Sequence, residues 1–408
     1  MRQIPVAKPY FTEDEYKGVE RALRSGWVAQ GPEVAKFEQA VARHERVGYG
    51  VAVSSCTAAL HLALVAEGVK EGMDVIVPAF TFVATANAVI QAGAVPVLAD
   101  ISQETYNIDV DRLYGLVRQG YVQQGGRMVN RVSGNVLWGI VPVHQFGLCC
   151  EVMRINALAK EYGVKVVEDA ACALGSKIGG THPGGFGNTA CVSFHPRKSI
   201  TTGEGGMVLT GCEEAAVRMR ELRSHGCKAP SDERHKAEGF LLPAYHEAGY
   251  NYRMTDIQAA VGNAQVEKLD SILEKKRRKA AAYGALLKES LPWLKPPSAP
   301  EGYFHTYQSY VCMLDLAQLG IPSVEEGGRY RNALLERLEK AGVATRQGTH
   351  AVHLLDYYKK RFGYAPQDYP NAYACDRLSV ALPLYAQMEE GEQEHVVGLI
   401  RKISASGM

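Results

Sequence analysis

Residues 193–210 read SFHPRKSITTGEGGMVLT. An apolar run, ACVSFH at 190–195, is ending as the stretch opens, and GMVLT at 206–210 closes it. Both runs predict buried strands, and the polar, glycine-rich loop between them presents Lys198. A lysine on a loop at a strand end can reach a ligand at the carboxyl edge of a sheet. Its amine, kept partly neutral, can condense with an aldehyde. The bland alternative is a solvated surface lysine, because lysine is seldom buried. The rest of the chain has to decide between them.

Outward from this loop, short apolar runs alternate with helical patterns. GYGVAVSS at 48–55 reads as a strand, and the helix-like TAALHLALVAEG follows it. Val75–Pro78, Ala94–Leu98, LWGIVPVH at 137–144 and VKVVEDA at 164–170 join the two runs already named. These runs are apolar throughout rather than alternating, which predicts strands buried on both faces. The expectation is an α/β fold whose large domain, over 1–250, holds a mostly parallel seven-stranded sheet covered by helices. Residues 255–290 predict one long helix whose basic run, EKKRRK, is solvated. The proline-rich LPWLKPPSAPEGY at 291–303 marks a boundary. YQSYVCML and helical stretches near 325–341 and 388–402 predict a smaller C-terminal α+β domain, within 251–408.

The chain has 408 residues, enough for about two or three domains. A net charge of +1 gives no overall field to recruit nucleic acid or an anionic membrane. Nine cysteines, with no Cys-x-x-Cys pair, indicate neither a zinc ribbon nor a thioredoxin-like motif. No metal site is expected. Reduced thiols and the absence of an apolar leader in MRQIPVAKPYFTEDEY lead to a cytoplasmic expectation.

Two further stretches bear on Lys198. VVEDAACALGS at 166–176 puts Asp169 just after an apolar run. A carboxylate there can pair with a protonated pyridine nitrogen, or simply favour a helix N-terminus. VSSCTAALHLAL at 53–64 is a strand, a turn of small polar residues and a helix. Such a helix start can bind phosphate, with Thr57 adding a hydroxyl, or carry only an ordinary serine cap. GFGNTA at 185–190 imitates a dinucleotide fingerprint. It follows a turn-rich loop and leads into a strand, so a tight loop is the expected reading.

Taken in order, SSCTAAL, PAFTFVATANAV, VVEDAA, SFHPRKSITTGEGG and GYNYRMTDIQAAVG resemble the DegT-type nucleotide-sugar aminotransferases, which are fold-type I pyridoxal-phosphate enzymes. The resemblance runs from Gly26-Trp27 to LPLY at 382–385. It implies pyridoxal 5'-phosphate as cofactor, held by Lys198 as a Schiff base, with Asp169 on the ring nitrogen. It places Ser55, Cys56, Thr57, Ala58 and Ser193 around the phosphate and Phe82 over one face of the ring. It implies a homodimer in which Asn251 reaches the neighbouring subunit's cofactor. Trp27, Arg346, His350 and His353 are candidate substrate contacts. The three in TRQGTHAVH, at 345–353, stand where the family often has an HYxPLH-like stretch, and they could equally line a packed interface. Cys172 stands three residues after Asp169, where relatives often have Gln, Glu or His. A thiol is a poorer hydrogen-bond partner for the ring's phenolic oxygen.

The lysine loop looks most like the C4-aminating branch typified by GDP-perosamine synthase. The expected reaction moves an amino group from L-glutamate, which leaves as 2-oxoglutarate, to a nucleotide-linked 4-keto-6-deoxy sugar. The product would be an amino sugar of the kind used in lipopolysaccharide O-antigen. Amination at C3, amination of a cyclitol such as an inosose, and a non-catalytic regulator that binds sugar nucleotide are the alternatives. Lys198 argues against the dehydratase branch, which carries His at this position.

Overall fold

The computed structural model describes residues 3–228, 244–389 and 391–406. The large sheet contains β1 (Tyr49–Val53), β2 (Met73–Pro78), β3 (Val95–Ala99), β4 (Val136–Ile140), β5 (Lys165–Asp169), β6 (Thr189–Ser193) and β7 (Gly206–Thr210). Their spatial order is β1-β7-β6-β5-β4-β2-β3. β7 pairs antiparallel with both β1 and β6, and every other pair in this order is parallel. Six strands therefore run one way and bring their carboxyl ends to one edge.

The apolar runs are explained by burial on both faces. Val51 and Val53 pack with Leu60 and Leu64 of the Cys56–Ala66 helix, while Ala52 between them packs toward Phe37 and Val41 of the Pro32–Glu45 helix. Ile76, Leu137 and Ile140 meet Leu113, Ile155 and Leu158 of two further helices. Alternate side chains of these strands thus enter different cores, which keeps the runs largely apolar on both faces.

One extension escaped the sequence reading. Tyr121–Gln124 and Arg127–Asn130 form a hairpin that joins β4 through Val129 and Val136, making nine strands in all. Its turn, Gly125-Gly126, has φ of 56° and 78°, the left-handed region glycine reaches without strain.

The long helix expected over 255–290 is two helices, Asp256–Glu267 and Leu269–Ser290, broken at Lys268. Lys268 has φ −102° and ψ −3°, and its Nζ is drawn to Thr12 Oγ1 at 2.8 Å and to Glu15. The first helix opens with a capping box, in which Thr255 Oγ1 accepts from Gln258 N and Thr255 N donates to Gln258 Oε1. Beside the cap, Asp256 accepts from the backbone N–H groups of Gly31, Glu33 and Val34 at 2.7, 3.1 and 3.0 Å. It thereby satisfies the open N-terminus of the Pro32–Glu45 helix. This gives the MTDIQ stretch a physical reason: one residue pair caps two helices.

The basic run EKKRRK does not lie at a solvated helix end. It falls inside the Leu269–Ser290 helix, and Lys276 is buried in the stripe Leu269, Ile272, Leu273, Lys276, Ala280, Tyr283 and Leu287. A second, antiparallel sheet of Leu294–Lys295, Tyr310–Leu314 and Ser379–Leu382 follows. Tyr283, Leu287, Leu334, Leu338, Val396 and Ile400 form its core. The start of the chain joins this core, for Ile4 is buried there and bridges Val343.

Candidate active site

The carboxyl edge of the large sheet opens into a cavity of about 400 Å³. Ser55, Cys56 and Thr57 line it from the turn and helix start after β1, Phe82 from the turn after β2, Thr85 from the first turn of the Ala84–Gln91 helix, Asp169 and Cys172 from the end of β5, and Ser193 and Lys198 from the end of β6. Residues spread over more than 140 positions of sequence are thus gathered by one rule, that parallel strands deliver their ends together.

Lys198 is fixed by its loop. Its N–H donates to His195 O at 2.8 Å, and the loop closes through Thr202 N and Thr201 Oγ1, both donating to Phe194 O. Lys198 Nζ donates to Cys172 Sγ at 3.2 Å. Burial pushes the amine's proton affinity down, but Cys172, Cys56 and Asp169 around it push it up, and the net shift is upward.

Asp169 is 4% exposed. Its Oδ2 accepts from Thr85 Oγ1 at 2.7 Å and its Oδ1 from Ala171 N at 3.1 Å. Burial raises its pKa above the ordinary carboxylate value, and the Thr85 and Ala171 hydrogen bonds pull it partly back. Behind it, the wholly buried Glu168 and His144 meet at 2.7 Å, and His144 N donates to the Asp169 carbonyl.

At the other end of the cavity, Ser55 caps the Cys56–Ala66 helix. Its Oγ accepts from Ala58 N at 3.1 Å. The Ala58 N–H is thus turned to the Ser55 hydroxyl in this structure. Cys56 and Thr57 supply the first-turn N–H groups that have no helical acceptor, and a helix start of this kind favours an anion. Ser193 adds a hydroxyl from the end of β6. Gly206, opening β7, lies hard against this turn: a Cβ there would fall 2.5 Å from Cys56 N and from Ser55 C and O. Phe82, 63% exposed, offers an aromatic face at the rim.

The remaining expected residues lie off the cavity. Trp27 turns its indole N–H to Gln30 O at 3.0 Å and folds over Gly31, where a Cβ would overlap its ring. Arg346 faces Thr345 O and the exposed Glu339. His353 has no exposed surface and lies against Tyr369, the two rings tilted by 56° with centroids 5.0 Å apart. His350 bridges Thr81 and holds Gln347. The 345–353 segment touches the cavity through Gly348 and Thr349 instead. Asn251 is exposed, bridging Ser224, and does not line this chain's own cavity.

The sequence reading missed Thr85, Gln145, Phe146, Gln308 and Ser309, all of which line the cavity. Thr85 is the second residue of the Ala84–Gln91 helix, and its local sequence does not set it apart from the neighbouring Thr81. Phe146 has φ 55°, a strained backbone for a bulky residue and a common mark of a functional wall.

The donor set fits pyridoxal phosphate. It offers one buried carboxylate for a cationic ring nitrogen, an amine across from it, a bare helix start for a dianion and an aromatic face at the rim. Among the described residues no group of three or more His, Cys, Asp or Glu is arranged to hold a metal ion. No helix among them is long and apolar enough to cross a membrane. No disulfide bond joins two cysteines among the described residues.

The model of the DegT/DnrJ/EryC1/StrS aminotransferase family matches residues 9–401, and the chain belongs to that family. It is a pyridoxal-phosphate-dependent aminotransferase of fold type I. Among curated relatives, the spore coat polysaccharide biosynthesis protein SpsC of Bacillus subtilis is 33% identical over 401 residues, covering 98% of this chain and 97% of SpsC. The aminotransferase TlmJ of Streptoalloteichus hindustanus superposes with a TM-score of 0.84 at 28% identity, over 99% of both chains. Spr1654 of Streptococcus pneumoniae, assigned as a sugar aminotransferase and solved in its PMP form, gives 0.86 at 26% identity, over 99% of both chains.

Proposed function

We propose that the chain transfers an amino group from L-glutamate to a nucleotide-linked keto sugar, at C4 of a 4-keto-6-deoxy sugar. The observation that carries the reading is that Lys198 and the buried Asp169 line one cavity whose far end is a helix start. The lysine loop's likeness to the C4-aminating branch supports the position of amination. The polysaccharide role in SpsC's name supports a sugar substrate.

Bound pyridoxal phosphate supplies an aldehyde that exchanges amines and a ring that takes up electrons. The residues do the rest. The ionised Asp169 holds a proton on the ring nitrogen. Cys56 and Thr57 N–H groups and the Ser193 hydroxyl bind the phosphate. Lys198 Nζ would hold the cofactor aldehyde and, as a free amine, would carry the proton that the transfer of the amino group requires. Phe82 covers the ring and limits water. Asn251, exposed and turned away from this chain's cavity, reaches the phosphate in a second copy, so the working unit is a homodimer in the cytoplasm.

The test is to incubate the loaded enzyme with glutamate and a panel of nucleotide keto sugars and inososes. NMR then reads the position of the new amine. Amination at C4 is the expected result. Amination at C3, or of a free cyclitol alone, would overturn the substrate. A protein that gains no visible absorbance with pyridoxal phosphate would favour a sugar-nucleotide-binding regulator.

A further inference from the structure

Arg346, the cation expected to meet the substrate, lies off the cavity and faces Thr345 O and Glu339. The acidic and basic side chains that do line the cavity are Asp169, Lys198, Arg197 and Glu204. Asp169 and Lys198 are taken up by the cofactor's ring and aldehyde. Arg197 and Glu204 are exposed, so they stand at the mouth.

Arg197 is pinned along its backbone and free at its head. Its N donates to His195 Nδ1 at 3.2 Å, and its carbonyl accepts from Gln308 Nε2 at 2.7 Å. Gln308 is itself 7% exposed, and its carbonyl accepts from the buried Lys276 Nζ at 3.0 Å. The small-domain side of the cavity thus braces the residue just before Lys198. Among the described residues nothing accepts a hydrogen bond from the Arg197 guanidinium, and Glu204 forms no ion pair with it. His195 also lines the cavity. Its Nδ1 is the acceptor, so its neutral ring carries the proton on Nε2.

A guanidinium is a planar fork of donors that matches the paired oxygens of a carboxylate or a phosphate. The amino donor and the keto sugar use this cavity in turn, because both react at one cofactor. A cavity of about 400 Å³ that also holds the cofactor has room for the reacting end of each substrate. The far end of each stays at the mouth. We propose that Arg197 is the anion anchor of this site: its guanidinium binds the paired oxygens at the far end of a substrate, the distal carboxylate of a dicarboxylic amino donor or the diphosphate of a nucleotide-linked sugar. Glu204, the carboxylate at the same mouth, weakens that binding and discourages any ligand that does not engage the fork. This rests on the cavity being the site of sugar amination.

The test titrates the cofactor-loaded protein by calorimetry with 2-oxoglutarate and, separately, with uridine, thymidine and guanosine diphosphates. Arg197→Gln should weaken at least one of these two classes of probe by about tenfold. Loss of 2-oxoglutarate alone assigns the carboxylate, loss of the diphosphates alone assigns the sugar nucleotide, and loss of both means that one guanidinium serves each substrate in turn. Arg197→Lys keeps the charge without the fork and should fall between wild type and Arg197→Gln. Glu204→Gln should tighten the same probe. In turnover, KM for the matching substrate should rise while kcat holds. Both backbone bonds of residue 197 survive these substitutions, so the melting temperature should not move. Probes that bind equally to wild type and Arg197→Gln overturn the anchor alone. A loaded wild type that binds neither class of probe fails the sugar-amination reading first, before any variant is compared.

Discussion

Thr85 Oγ1 donates to Asp169 Oδ2 at 2.7 Å, so a hydroxyl from the first turn of the Ala84–Gln91 helix fixes a carboxylate at the end of β5. With Ala171 N on the other oxygen, the carboxylate cannot rotate freely. Thr85→Val keeps the shape and removes the donor. Hydrogen bonds to charged groups contribute roughly 1.5–3 kcal/mol, so cofactor affinity should fall about tenfold or more. Absorbance titration of the apoenzyme measures this, and an unchanged affinity would mean Asp169 is held without Thr85.

Burial raises the Asp169 pKa, and the ionised form is the one that pairs with a ring nitrogen. Cofactor affinity should therefore decline as pH falls through this raised value, at higher pH than an exposed aspartate titrates. The apoprotein behaves oppositely. Its folded form holds the Asp169 proton more tightly than the unfolded chain does. That contribution to stability is full below the unfolded pKa and is lost as pH rises through the folded one. Cofactor binding and urea unfolding, each followed against pH, should thus slope in opposite directions on the acid side.

Lys198→Ala should lower turnover by at least about 10²–10⁴-fold, the usual worth of a positioned proton carrier. Borohydride should no longer fix the cofactor to the chain, although Asp169 and the helix start still bind it. Full turnover in this variant would remove Lys198 from the mechanism.

Gly206→Ala places a methyl 2.5 Å from the backbone of Ser55 and Cys56. Overpacking of this kind costs about 1–3 kcal/mol. The displaced segment is the phosphate turn, so cofactor affinity should suffer more than the melting temperature. Equal affinity for pyridoxal phosphate in the two proteins would count against Cys56 and Thr57 as phosphate ligands.

Asp256→Ala leaves three backbone donors without their acceptor. A loss of about 3 kcal/mol in urea unfolding is expected. Asp256→Asn, which keeps one acceptor oxygen, should lose less.

The seven long strands were legible because burial on both faces leaves no alternation to misread. The 121–130 hairpin was not, since its four-residue strands fall between stronger signals. The break at Lys268 has no glycine or proline to announce it and depends on Thr12 and Glu15, more than 250 residues away. Lys276 was hidden by composition, because a basic run looks solvated. Its spacing from Leu269, Ile272, Ala280 and Tyr283 was the better guide. In the 345–353 segment the conspicuous side chains drew notice, while the residues that reach the cavity are the plain Gly348 and Thr349. Lys198 and Asp169 could be found because strand ends are predictable places. Thr85, which orients Asp169, could not be singled out without knowing that β2 and β5 finish at the same edge.

The reversed direction of β7 has a consequence for the lysine itself. Had β7 run parallel to β6, the connection would have had to cross to the far edge of the sheet, through a helix packed on its face. Because it runs back, the twelve residues 194–205 leave and re-enter the sheet on the same side. The lysine rides on a short span moored at both ends beside its ligand, and neither helical layer takes part in that connection. Substitutions within the span can therefore retune the chemistry while the scaffold that carries it stays as it is.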